Sequence, residues 1–143
     1  MIVLDTTVLV YAVGDSHGFR EPCQRIIEAV QNDEIQATTT VEVIQEFAHV
    51  RARRRDRTDA AELARAYLDL LEPLLIVAER DLIEGLRLFE RHPRLGSFDA
   101  VLAAAAQAAD ARALVSADAA YSAIPQLAHV IPDNTGVAKL LAG

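Results

Sequence analysis

Met1-Ile2-Val3-Leu4-Asp5-Thr6-Thr7 opens the chain with four apolar residues, then a carboxylate and two hydroxyls. A short apolar run that does not alternate reads as a strand covered on both faces, the habit of parallel sheets flanked by helices. Asp5-Thr6-Thr7 supplies capping residues, so a helix begins at once and runs to about Val13, stopped by Gly14. The same grammar repeats downstream. Phe19, Cys23, Ile26, Ile27 and Val30 recur at helical spacing and predict a helix from Arg20 to Asn32. Ile35 to Thr38 reads as a second strand. Thr40 opens a helix striped by Val43, Ile44 and Phe47, which ends in Arg51-Ala52-Arg53-Arg54-Arg55-Asp56-Arg57. Leu63, Tyr67 and Leu71 mark a helix stopped before Pro73, and Leu74 to Val77 a third strand. Leu82, Leu86 and Phe89 define a helix ending near His92-Pro93. Ser97 caps a helix bearing Phe98, Val101, Leu102, Ala105 and Ala109. Ala113 to Val115 and His129 to Ile131 read as strands four and five, and Asp133 to Leu141 as the closing helix.

Strands separated by helical patterns form βαβ units. The expected fold is therefore α/β, a three-layer α/β/α sandwich around a five-stranded, mostly parallel central sheet. At 143 residues the chain fits one domain, residues 1–143. Composition is globular, with 52% hydrophobic and 24% charged residues, which excludes disordered and low-complexity classes. Apolar stretches such as Ala100 to Ala109 are too short to span a bilayer, so no membrane partner is expected. The first residues lack the basic region of a secretory signal. Cys23 stands alone, which rules out an intrachain disulfide and fits a reducing, cytoplasmic setting.

Several chemistries lack raw material. There is no GxxxxGK[ST] phosphate loop, no GxGxxG and no GxSxG elbow. His17, His49, His92 and His129 are scattered, with no HExxH, which disfavours zinc. Trp is absent and aromatics make up 5%, which disfavours stacking platforms for single strands. The net charge of −7 argues against a general nucleic-acid coat, though not against a nuclease whose acidic site is neutralised by metal ions.

In open parallel sheets the reactive crevice lies beyond the carboxyl ends of the strands. Asp5 follows strand one directly, Asp118 lies just past strand four, and Asp99 falls in the first turn of the Ser97 helix. Each alone is explained by helix capping; their shared place is what capping does not explain. Glu42 and Glu46 are spaced i,i+4. By helical geometry Glu46 borders the apolar stripe, which favours it as a site residue buried against the sheet, while Glu42 lies toward solvent with at most a supporting role behind the ligands. Four carboxylates in one crevice repel each other unless a cation joins them. Hard oxygen donors suit Mg²⁺ or Mn²⁺, and the chemistry that follows is metal-assisted phosphodiester hydrolysis.

Four segments resemble the PIN domain, and more closely the VapC-type toxin ribonucleases of bacterial toxin–antitoxin pairs. They are Ile2 to Val10 with its strand-Asp-Thr; Thr40 to Glu46 with Phe47; Ser97-Phe98-Asp99-Ala100 before the Ala-rich helix; and Ser116-Ala117-Asp118-Ala119-Ala120-Tyr121. The resemblance runs along nearly the whole chain. It implies a five-stranded parallel sheet, Mg²⁺ or Mn²⁺, and RNA cleavage by an acidic quartet of Asp5, Glu46, Asp99 and Asp118, with Thr6 and Ser116 as polar support. It also implies a homodimer, a VapB-type antitoxin as partner, and an RNA substrate of the tRNA or rRNA kind.

Arg51, Arg53, Arg54, Arg55 and Arg57 form the only concentrated positive charge. They read equally well as a solvated helix end or as contacts steering RNA, or an acidic antitoxin stretch, toward the acids. Leu63, Tyr67, Leu71 and Phe47 read as core, with some available to a dimer or antitoxin groove. Two phosphoryl-transfer folds are disfavoured: position 7 is Thr where an aspartyl-phosphate phosphatase needs its second Asp, and both that fold and a receiver domain need a late-strand Lys. The remaining alternative is a catalytically silent PIN-like module that binds RNA or a partner.

Overall fold

In the computed structural model, which describes residues 1–143, three residues of strand are enough to organise the molecule. β1 (Ile2–Leu4) is wholly buried, and α1 (Thr6–Val13) follows it without a loop. Then come α2 (Arg20–Gln31), β2 (Ala37–Thr38), α3 (Val41–Arg54), α4 (Arg57–Leu71), α5 (Glu79–Arg91), α6 (Ser97–Ala108), β3 (Ala113–Val115), a 3₁₀ turn at Ala119–Ala123, β4 (His129–Val130) and α7 (Asn134–Leu141). The sheet is parallel throughout in the order β2-β1-β3-β4. β1 and β3, with every residue buried, are the central pair, which is why their sequences are apolar without alternation.

The sheet has four strands, not five. The stretch Leu74 to Val77 touches it at one point only, a parallel bridge between Leu75 and Thr40 in which the Leu75 amide donates to the Thr39 carbonyl at 2.9 Å. β2 is two residues long and the chain turns into α3 at Val41, so the edge offers no ladder to extend. Ile76, 88% exposed, has nothing to cover it.

The arginine-rich run spans the junction of the two expected helices. α3 ends at Arg54, and Asp56 caps α4 by accepting the Asp59 amide at 2.7 Å. Phe47, Tyr67 and Leu71 are core and Leu63 is half-buried: Tyr67 meets Phe47 edge-on, centroids 5.0 Å apart, and its hydroxyl donates to the Leu9 carbonyl at 2.8 Å. α5 and α6 pack through Gly85, where a Cβ would come within 2.8 Å of the Val101 Cα. The buried residues of α5 are Asp81 and Gly85, while Leu82, Leu86 and Phe89, the stripe that defines the helix, are each nearly half exposed. Phe98, read as part of the apolar face of α6, is 78% exposed. Gly96, not Ser97, holds the cap position of α6, and Ser97 is its first helical residue. No helix is long and apolar enough to cross a membrane.

Candidate active site

Register places the site. Leu4 of β1 pairs with Val115 of β3, so the residues after each strand, Asp5 and Ser116-Ala117-Asp118, emerge side by side at the carboxyl edge of the sheet. Thr40 caps α3 by accepting the Val43 amide at 3.2 Å, starting beyond β2 the helix that carries Glu46. Asp99 comes from the first turn of α6. Asp5, Glu46, Asp99 and Asp118 all line one cavity of about 260 Å³, together with Thr6, Thr7, Val10, Tyr11, Val50 and Arg54. An adjoining cavity of about 330 Å³ shares Asp5, Glu46 and Asp99 and is walled by Val77, Leu82, Phe98 and Val101. Glu42 lines that neighbour but not the space where the four acids meet. Position relative to the cavity, not burial, separates the two glutamates, for Glu46 is as solvent-exposed in class as Glu42.

Asp5 is 5% exposed and makes no capping bond to α1, contrary to the capping reading. Its carboxylate is held by side-chain hydroxyls instead. Oδ2 accepts the Ser116 hydroxyl at 2.6 Å and the Thr7 hydroxyl at 3.1 Å, while the Tyr121 hydroxyl approaches Oδ1 at 3.4 Å. Those hydroxyls are themselves aligned: the Asp118 amide donates to Ser116 Oγ and the Ala117 amide to Thr7 Oγ1, each at 3.0 Å. Backbone dipoles thus polarise the hydroxyls toward the carboxylate, the arrangement in which hydrogen bonds to a charge are strongest.

Of the two residues expected as polar support, Ser116 contacts Asp5 and Thr6 does not. The Thr6 hydroxyl is buried and has no partner, and its neighbour Thr7 reaches Asp5 instead. A run of two threonines gives no signal for choosing between them. Tyr121 stands in a motif quoted above without a role. Its position follows from Asp118, whose Oδ1 accepts the Ala120 amide at 2.9 Å and turns the chain so that Tyr121 folds back beneath the acids, fully buried. His129 was also missed: its Nε2 meets the Ser116 carbonyl at 2.9 Å and its Nδ1 the Ser122 hydroxyl at 2.7 Å. A carbonyl can only accept, so Nε2 carries the proton and the ring braces Ser116 from behind.

Asp99 registers the crowding. Its carboxyl is pushed up to about 6, first by burial and next by Asp5, with Asp118 and Glu46 adding to the rise and a hydrogen bond from Tyr121 working against it. The same burial and the same carboxylates drive the Tyr121 phenol far above its ordinary range, so it stays a donor. The acids surround the cavity without converging on a point: no three His, Cys, Asp or Glu side chains are grouped tightly enough to enclose an ion. The four carboxylates expected to meet around one cation thus share a cavity but form no ready-made ligand cluster.

The arginine run is not one surface. Arg51 is mostly buried, donating to Asp59 Oδ2 at 2.6 Å and to the Val13 carbonyl at 3.1 Å; it ties α3 to α4 and to the end of α1 and is not available to RNA. Arg55 makes an exposed pair with Asp15 at 3.2 Å. Arg53 is exposed, and Arg54 lines the four-acid cavity.

The PIN-domain family model matches residues 2–127, and the chain belongs to the PIN-domain family. Within it, the similarity runs to VapC ribonucleases. The chain is 52% identical to Ribonuclease VapC7 of Mycobacterium tuberculosis (strain H37Rv), covering 99% of this chain and 98% of that protein. It is 33% identical to Ribonuclease VapC23 of the same species, covering 69% and 78%. Among solved structures it shares its fold with the crystal structure of VapBC2 from Rickettsia felis bound to a DNA fragment from their promoter, with a TM-score of 0.69 at 18% identity, over 90% of this chain and 97% of that one.

Proposed function

We propose that this chain is the toxin of a VapBC-type toxin–antitoxin pair, a single-domain endoribonuclease that hydrolyses RNA phosphodiester bonds with Mg²⁺ or Mn²⁺ at Asp5, Glu46, Asp99 and Asp118. The observation that carries the reading is that four carboxylates from four separate segments line one cavity at the carboxyl edge of a parallel sheet. The 52% identity to a protein named as a ribonuclease supports the substrate class. A VapB-type antitoxin, a homodimer and a cytoplasmic location go with that reading, as does an RNA substrate of the tRNA or rRNA kind.

The donor set is all oxygen and carries excess negative charge, which fits a hard divalent cation. Bound there, such an ion would supply Lewis acidity toward the phosphoryl group and activation of water. The chain's residues do the rest. Ser116 and Thr7 hold the Asp5 carboxylate in one orientation, and the Tyr121 hydroxyl lies against its other oxygen. Asp99 would have to be ionised to hold the ion, so metal affinity is expected to rise as pH passes through about 6. Glu46 is a solvent-exposed member of the set that lines the cavity.

The test is cleavage of RNA by the purified protein with Mg²⁺ or Mn²⁺, with EDTA, and with Asp5→Asn and Asp99→Asn. Metal-dependent cleavage lost in both variants supports the reading. Folded protein that binds RNA but cuts none with either ion returns the chain to a silent binding module.

A further inference from the structure

We infer that the wall of the four-acid cavity formed by α1 and α3 is a subsite for one nucleotide of single-stranded RNA flanking the cleavage point, with Arg54 on its phosphate and the Tyr11–His17 stack under its base. This rests on the ribonuclease reading above. Glu46, Val50 and Arg54 are spaced i, i+4, i+8, so they share one face of α3, and Arg54 stands about 12 Å along the helix axis from Glu46. Arg54 lines the same cavity as the four acids, yet its guanidinium pairs with none of them within 4 Å. A cation facing four carboxylates without pairing to any leaves its fork of donors for an anion brought from outside, and a guanidinium suits phosphate in particular.

Tyr11 of α1 lines the same cavity. The His17 ring stacks on Tyr11, centroids 4.3 Å apart and planes 19° from parallel. His17 is exposed, and its Nδ1 accepts the Phe19 amide at 3.1 Å, which fixes the ring plane before anything binds. Phe19 leans against both rings. The composition that argued against a stacking platform missed this, because few aromatics suffice when they gather in one place. His17 itself lies outside the cavity lining, and the stack reaches the space that Arg54 lines through Tyr11. An aromatic stack and an arginine without a carboxylate partner on one cavity are the pairing that unstacked nucleotides bind. It favours RNA over an acidic protein segment, which would use Arg54 but have no need of the stack.

The probe is a labelled single-stranded RNA oligonucleotide of mixed sequence, with binding measured against salt and with Mg²⁺ present in an Asp99→Asn background that prevents cleavage. Arg54→Ala weakens binding and flattens the slope of log affinity on log salt by about 0.7, one single-strand phosphate's worth. Arg54→Lys restores the slope, and Arg65→Ala on the exposed face of α4 leaves it unchanged. Replacing one base at a time by an abasic unit weakens binding by about 5- to 150-fold at one position, and His17→Ala abolishes that position's sensitivity. The abasic scan needs no further change to the protein, so it stands even where a variant folds poorly. An Arg54→Ala slope equal to that of the parent overturns the subsite and leaves Arg54 to a protein carboxylate. So does an abasic scan with no sensitive position, or one that His17→Ala does not alter. RNA cleavage by the wild type alongside those results spares the ribonuclease reading; no RNA binding by the wild type at all defeats the reading and the subsite together.

Discussion

The Ser116 hydroxyl donates to Asp5 Oδ2 at 2.6 Å across 111 positions of sequence, joining the ends of the two central strands through one proton. Thr7 reaches the same oxygen and Thr6 reaches nothing. Ser116→Ala and Thr7→Val are therefore expected to cost about 10- to 100-fold in cleavage or metal affinity, as loss of a ligand's orienting partner does, and about 1–2 kcal/mol in stability. Thr6→Val removes a buried hydroxyl with no partner, so it is neutral or stabilising by up to about 1 kcal/mol. Urea unfolding and RNA cleavage on the three variants check this; a Thr6→Val as damaging as Thr7→Val overturns the assignment.

Glu46 and Glu42 differ in the space they face. Glu46→Gln removes a charge from the four-acid cavity and is expected to lower cleavage by about 100-fold or more, beyond the range of orienting residues. Glu42→Gln leaves that cavity intact, and its turnover stays within about threefold of wild type, a difference worth under about 1 kcal/mol. Turnover at saturating Mg²⁺ separates them, and equal losses would make Glu42 a member of the site.

Metal-free protein becomes less stable as pH rises from about 4 to about 6, because the Asp99 carboxyl titrates near 6 when folded against an ordinary value of 3.8. The sign follows from a folded state that holds its proton more tightly than the unfolded chain: the stabilisation is full below the ordinary value and lost on passing the folded one. Asp99→Asn removes this slope, and Mg²⁺ opposes it in the wild type by neutralising the charge that burial disfavours. Thermal melts of both proteins across that range, with EDTA and with Mg²⁺, read it directly. A wild type and an Asp99→Asn with parallel profiles in EDTA would contradict the crowding of the acids.

Arg51 and Asp59 make the opposite contribution. The hydrogen bond from Arg51 holds the Asp59 carboxyl below its ordinary value, against some burial, and the Arg51 charge adds to the lowering. Stability from this pair is present above the ordinary carboxylate value and lost as pH falls through the depressed one. Arg51→Ala lowers the melting temperature at neutral pH and loses less than wild type on acidification. It acts through the fold alone, so its RNA salt slope equals that of the wild type.

Gly85→Ala is expected to destabilise by about 1–2 kcal/mol. The added carbon would meet the Val101 Cα at 2.8 Å and force α5 off α6, an overpacking cost that outweighs the roughly 1 kcal/mol gained in helix propensity. Chemical denaturation checks it, and a neutral result would mean the two helices separate freely.

How far the residues announced all this depends on what each signal measures. The strands β1 and β3 and the acids after them were legible because unbroken apolar runs and a carboxylate at their end are local facts. The third predicted strand was not legible as absent, because Leu74 to Val77 has strand chemistry but finds an edge only two residues long. Helical geometry chose Glu46 over Glu42 for the wrong reason: it is the cavity's position, set by α1 and α6, that distinguishes them. Thr7 and His129 act through contacts made by tertiary register, and Arg51 is consumed by an aspartate on the next helix. No spacing rule within one element reveals such partners.

Strand order has a further consequence for the chain during its own synthesis. β1 emerges first but is flanked by β2 and β3, and β3 carries the last of the four acids just behind it. Until the ribosome has delivered residues well past Asp118, Asp5 lacks Ser116, and the pocket has no fourth wall. A copy aborted before Asp118 thus lacks the fourth acid and cannot assemble the cavity that all four line.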